Sequence, residues 1–272
     1  MLQKIKSAVT CFSKGELALW GASVFCIVLS FLLFDRENYF TLLSSLIGVT
    51  SLIYCAKGHP FGQLLIILFS LLYGAISFTF AYYGEMITYL GMTLPMAVFS
   101  WISWLKNPYN GNRAQVKINR LSSRETIFMF ALTAAVTFAF YFILAALHTA
   151  NLIPSTVSVA TSFLASYLTF RRSAFYALAY ALNDAVLIVL WTMAALEDIS
   201  YLSVIICFLL FFVNDIYGFI SWSKRKKQQA RQSAECVRGK NNFFGPAVRS
   251  YWSMGNLFSA CLCGIVPLNA AE

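Results

Sequence analysis

Charge is what this sequence has least of. Only 11% of its 272 residues are Asp, Glu, Lys or Arg, while 59% are hydrophobic and 17% aromatic. Soluble domains carry about 25% charged residues, so a soluble globular fold is excluded and the chain reads as an integral membrane protein. Histidine is scarcer still. His59 and His148 lie at the edges of apolar runs without metal-type partners nearby in sequence, and neither takes a role. The seven cysteines show no zinc spacing: Cys26, Cys55 and Cys207 sit in apolar runs, Cys11 and Cys236 flank them, and Cys261-x-Cys263 lies in the tail. They read as small hydrophobes. Also missing are His-Glu-x-x-His, Gly-x-Ser-x-Gly, a phosphate-binding glycine loop and a Cys/His cluster. No enzyme, metal or cofactor is therefore expected. Two buried aspartates could suggest an intramembrane aspartyl protease, but the Gly-x-Gly-Asp context is absent.

What the sequence does have is eight apolar stretches, at 17–34, 40–56, 61–83, 86–105, 126–147, 152–170, 174–195 and 200–222. Each is close to the roughly 20 residues a helix needs to cross about 30 Å of hydrocarbon. Their unbroken apolar character fits helices rather than barrel strands. Lys4, Lys6 and Lys14 precede the first stretch as in a signal peptide, but Asp35-Arg36-Glu37 follows it instead of a cleavage site, so a retained helix is expected.

The net charge of +9 speaks of topology, not of nucleic acid. With the N-terminus in the cytoplasm, every Lys and Arg except Arg36 falls on the cytoplasmic side, while Asp35, Glu37, Glu85, Glu197 and Asp198 fall outside. That bias supports eight spans in the plasma membrane with both ends cytoplasmic. The basic tail, opening Lys224-Arg225-Lys226-Lys227, is expected to rest at an anionic lipid leaflet. The turn-forming stretch 106–125 is read as a connector, and Trp101, Trp104, Trp222 and Tyr109 as interface anchors.

Two short internal matches point to a repeat. Glu85-Met86-Ile87-Thr88-Tyr89-Leu90 resembles Glu197-Asp198-Ile199-Ser200-Tyr201-Leu202, and Ile102-Ser103-Trp104 resembles Ile220-Ser221-Trp222. A three-helix unit can recur in the same orientation only if one further helix links the copies. The expected fold is thus all-α, with an extra N-terminal helix (1–39), a first three-helix bundle (40–106), a loop and linker helix (107–151), a second bundle (152–224) and a basic tail (225–272). Parallel repeats of this kind place substrate near the midplane between the bundles.

Only two formal charges lie inside the apolar stretches, Asp184 and Asp215. A carboxylate there costs several kcal/mol unless it meets a partner or a wet cavity, so it marks a functional site. Each follows an asparagine, giving Asn183-Asp184 and Asn214-Asp215. At 1.5 Å per residue the two pairs differ in depth by about 4–5 Å, so both are expected to open onto one chamber. The asparagines suit hydroxyl or carboxamide groups, Trp191 could stack on a flat cationic ring, and Tyr217 follows Asn214 on the same helical face. The competing reading is interhelical glue in a scaffold that transports nothing.

Tyr83-Gly84-Glu85, Leu94-Pro95-Met96, Trp101-x-x-Trp104-x-Lys106-Asn107, Asn183-Asp184 with Leu187 to Trp191, and Asn214-Asp215-Ile216-Tyr217-Gly218 together resemble the PnuC family of vitamin transporters over about 40–226. The resemblance implies the parallel three-plus-one-plus-three fold. It also implies uptake of nicotinamide riboside, or of thiamine or another nucleoside-like vitamin, by facilitated diffusion with phosphorylation by a cytosolic kinase trapping the substrate. Carried over residue by residue, Asn183, Asp184, Trp191, Asn214 and Tyr217 would contact substrate, with Asp215 beside them and Glu85 at the outer mouth. Many members have Gln after Leu-Pro-Met, where this chain has Ala97. A homo-oligomer is compatible with this reading.

Overall fold

The computed structural model describes residues 12–243 except 35, 37, 80–82, 150, 197 and 198. Lys4, Lys6, Cys11, the outer acids Asp35, Glu37, Glu197 and Asp198, and the tail beyond Phe243 with Cys261-x-Cys263 lie outside the described residues. Among those described, eight helices are long and apolar enough to cross a membrane. They are α1 (Lys14–Phe34), α2 (Tyr39–Ala56), α3 (Phe61–Thr79), α4 (Tyr83–Lys106), α5 (Ser123–Ala146), α6 (Leu152–Phe170), α7 (Tyr176–Ala195) and α8 (Leu202–Phe243). The protein is an all-α, multi-pass membrane protein.

Two elements differ from expectation. Glu85 belongs to the first turn of α4 rather than to an outer loop. Further along, Pro95 has no N–H to offer and its ring crowds the preceding turn. The chain answers by widening into a π-turn over Thr88–Thr93, with Leu94 N–H donating to Tyr89 O. Second, α8 does not stop near the bilayer edge. Its 42 residues span about 63 Å at 1.5 Å each, so the Lys-, Arg- and Gln-rich stretch after Trp222 projects as helix. These residues are good helix formers.

Packing shows an exchange between two triplets. Helices α2, α3 and α4 pack in sequence, as do α6, α7 and α8; α4 then packs on α6, and α8 on α2. Between them α5 touches α6 and faces largely outward, while α1 lies against α2 and α8.

The repeated Ser-Trp motif makes this exchange. Trp104 Nε1 donates to Thr169 O at 2.9 Å and Ser103 Oγ to Phe170 O at 2.9 Å, capping the C-terminus of α6. Trp222 Nε1 donates to Cys55 O at 2.8 Å and Ser221 Oγ to Ala56 O at 2.9 Å, capping α2 in the same way. The last carbonyls of a helix have no intrahelical donor, and each triplet here supplies donors to the other. Both indoles are essentially unexposed, with centroids 5.4 Å apart and Tyr176 packed against both. This corrects the expectation that Trp104 and Trp222 are interface anchors: they form an aromatic plug near the basic face, the side carrying Lys57, Lys106 and Arg171.

The 106–125 connector is also more structured than a turn-rich loop. Pro108–Tyr109 pairs with Asn112–Val116 through an Asn110-Gly111 turn with φ of 48° and 74°, the backbone that hairpins with two-residue loops require. Val116 N–H donates to Gly58 O, Ile118 N–H to Gln229 Oε1, and Asn119 N–H to Arg172 O. The segment thus straps the α2–α3 turn, the α6–α7 turn and the α8 extension together.

Candidate functional site

The polar residues of α7 and α8 sort to different places. Asn183, Asp184 and Asp215 are all buried and line one deep lobe of about 80 Å³, with Tyr176, Tyr180, Tyr89 and Ser162. The two carboxyls lie in mutual hydrogen-bonding reach, and Asp184 Oδ2 is buried with no hydrogen-bond partner among the described residues. Asn183 Oδ1 accepts from Thr161 Oγ1 at 2.8 Å and from Ser158 Oγ at 3.4 Å, both on α6. That fixes the amide with its Nδ2 donors on the opposite side.

Asn214 and Tyr217 do not join them. Asn214 Nδ2 donates to Ser23 Oγ at 3.0 Å, and Tyr217 OH to Glu16 Oε1 at 3.1 Å. Glu16 also pairs with Lys57 at 2.9 Å and accepts from Ser13 N–H. The expectation that both Asn-Asp pairs open into one chamber is therefore corrected. Asn214 sits one helical step (about 100°) from Asp215, and that step turns it toward α1, which carries Glu16 and Ser23 one heptad apart on its buried face.

Glu85 and Trp191 stand together on the outer side of the deep lobe. Both line a cavity of about 250 Å³ reaching Asn38, Thr41 and Tyr201, at the face opposite the basic one. Both also line a second cavity of about 260 Å³ reaching Thr149, Asn151 and Ser155. Trp191 packs against Tyr201 with centroids 5.3 Å apart, and Glu85 accepts from Tyr73. A small lobe between them is lined by Glu85 and Asn183 alike. Gly84 holds this corner close: a Cβ there would fall 2.6 Å from Thr149 Oγ1 and 2.9 Å from Leu144.

Read inward, the order is outer cavity, Glu85 and Trp191, then Asn183 with the carboxyl pair, then the aromatic plug. The largest lobe is slightly below the roughly 300–1,000 Å³ of typical small-molecule pockets, and the deeper lobes extend it. Tyr73, Tyr89, Tyr180, Ser158 and Ser162 are part of this lining, Thr161 orients Asn183 from behind it, and none of them was singled out from sequence. Tyr and Ser/Thr are ordinary inside membrane helices, and only their shared face, as at Ser158, Thr161 and Ser162 on α6, hints at it.

Comparison with known proteins fits this architecture. The family model described as nicotinamide mononucleotide transporter matches residues 38–224, both triplets and the linker, leaving out α1 and most of the α8 extension. The nicotinamide riboside transporter PnuC of Neisseria mucosa is 24% identical over 205 residues, covering 73% of this chain and 77% of that protein. A crystal structure of the vitamin B3 transporter PnuC matches with a TM-score of 0.69 at 22% identity, over 80% of this chain and 94% of the other. That likeness speaks for the fold. With the family match running from the start of α2 into α8, this chain belongs to the nicotinamide mononucleotide transporter family.

Proposed function

We propose that the protein carries nicotinamide riboside across the plasma membrane, with both termini cytoplasmic. The observation that supports this best is the chamber that Glu85, Trp191, Asn183, Asp184 and Asp215 border. It combines an indole face, acidic groups and a fixed amide in one place, on a scaffold shared with a family of transporters. The pyridinium ring would stack on Trp191, since a cation over an indole is attracted by its quadrupole. The neighbouring acids favour its positive charge, and the Asn183 amide would meet ribose or carboxamide oxygens. Asn214 and Tyr217 hold α1 and are not part of the binding set.

Transport is by facilitated diffusion, and phosphorylation by a cytosolic kinase makes uptake one-way. The domain plan stands in the same reading: two three-helix bundles move about the central chamber, and α5 only links them. Thiamine is the competing substrate, because it too is a cationic aromatic. Purified protein in liposomes should take up labelled nicotinamide riboside saturably, with unlabelled riboside competing and thiamine competing far less. Saturable thiamine uptake with no riboside signal overturns the substrate. Riboside accumulation driven by an imposed pH gradient alone overturns facilitated diffusion.

A further inference from the structure

On the basic face, away from the transport chamber, α8 and the strap enclose a groove of about 400 Å³ whose rim is Arg120, Lys226, Lys227 and Arg231 and whose floor includes Phe175 and Phe219. The α8 residues fall on one stripe, because 219, 223, 226, 227, 230 and 231 recur at helical spacing. Arg225, off this stripe, turns instead to Ser221 Oγ. Among the described residues, no carboxylate lines the groove. Lys226 Nζ lies 5.3 Å from the Phe175 ring centre, and the Phe175 and Phe219 rings are 6.0 Å apart.

The groove also continues into an apolar strip. Phe175 at the N-cap of α7 and Leu178 and Leu182 within it follow one helical face, and each is 43% exposed or more. Four cations at one end and an open apolar strip at the other match an amphiphile with an anionic head. A soluble phosphate compound would satisfy the cations and leave the strip uncovered.

We infer that this groove binds an anionic phospholipid, its phosphate among Arg120, Lys226, Lys227 and Arg231 and its acyl chains along Phe175, Leu178 and Leu182. Basic pockets on the inner side of membrane proteins hold such head groups. The site is this chain's own in part, since Lys226, Lys227 and Arg231 follow the residues matched by the family model. It does not depend on which vitamin is carried.

The test uses the full-length chain in detergent, titrated with short-chain phosphatidylglycerol, phosphatidylcholine or inorganic phosphate and read by native mass spectrometry. Phosphatidylglycerol should bind in preference to phosphatidylcholine. The quadruple variant Arg120→Gln, Lys226→Gln, Lys227→Gln, Arg231→Gln should weaken it about tenfold or more. The milder exposed pair Lys227→Gln, Arg231→Gln should weaken it in the same direction. Swapping Lys and Arg at all four positions should preserve binding, and the control Lys106→Gln, Lys117→Gln should not disturb it. Unchanged binding in both Gln variants, equal loss in the control, or displacement of the lipid by inorganic phosphate at equal concentration overturns the proposal.

Discussion

Replacing each of the two asparagines by leucine separates the chamber from the helix that grips its back. Asn183 has its oxygen engaged by Thr161 and Ser158, leaving two N–H donors for a ligand. A hydrogen bond between neutral groups contributes about 0.5–1.5 kcal/mol, so losing both weakens riboside binding about 5- to 150-fold. Leucine at position 214 removes different bonds, those to Ser23 Oγ and Leu210 O. By the same arithmetic it lowers stability by about 1–3 kcal/mol and leaves riboside affinity within about twofold. Calorimetric titration of the purified variants reads the first effect, and thermal unfolding in detergent the second. Equal loss of affinity in both variants refutes the placement of Asn214 outside the chamber.

Phe in place of Trp104 and of Trp222 should destabilise the fold by similar amounts, about 0.5–1.5 kcal/mol each for the lost indole N–H bond, because each caps the other triplet's first helix. Markedly unequal melting shifts would argue against the exchanged caps. Lys57→Met strips the ion pair from Glu16 and should lower stability by about 1.5–3 kcal/mol, whereas Lys57→Arg should keep most of it; no difference between the two would show the pair to be idle. Gly111→Ala forces a methyl group into φ +74°, which costs about 1–2 kcal/mol. Its melting temperature should fall while riboside affinity holds, and loss of affinity would place the strap within the binding machinery.

The spans were legible because so few charges interrupt them: the absence of Asp, Glu, Lys and Arg over stretches of about 20 residues leaves only helices across a membrane. Asp184 and Asp215 were legible for the same reason, as the exceptions. The Ser-Trp repeat was visible too, but its use was not. A tryptophan near the end of a span usually sits at the lipid interface, and only the crossing of two triplets brings Thr169 and Cys55 beneath the indoles. Asn214 and Tyr217 were misplaced because nothing local says that α1 packs on α8. The available signal lay in α1 itself, where Glu16, Ser23 and Ser30 repeat every seven residues on a face that needs a polar partner.

A structure with nicotinamide riboside bound tests most directly whether the vitamin rests in the inner chamber. The pyridinium should lie against Trp191 with the ribose or carboxamide reaching Asn183 near Asp184 and Asp215. Ligand found instead between α1 and α8, beside Asn214, Tyr217 and Glu16, would contradict it.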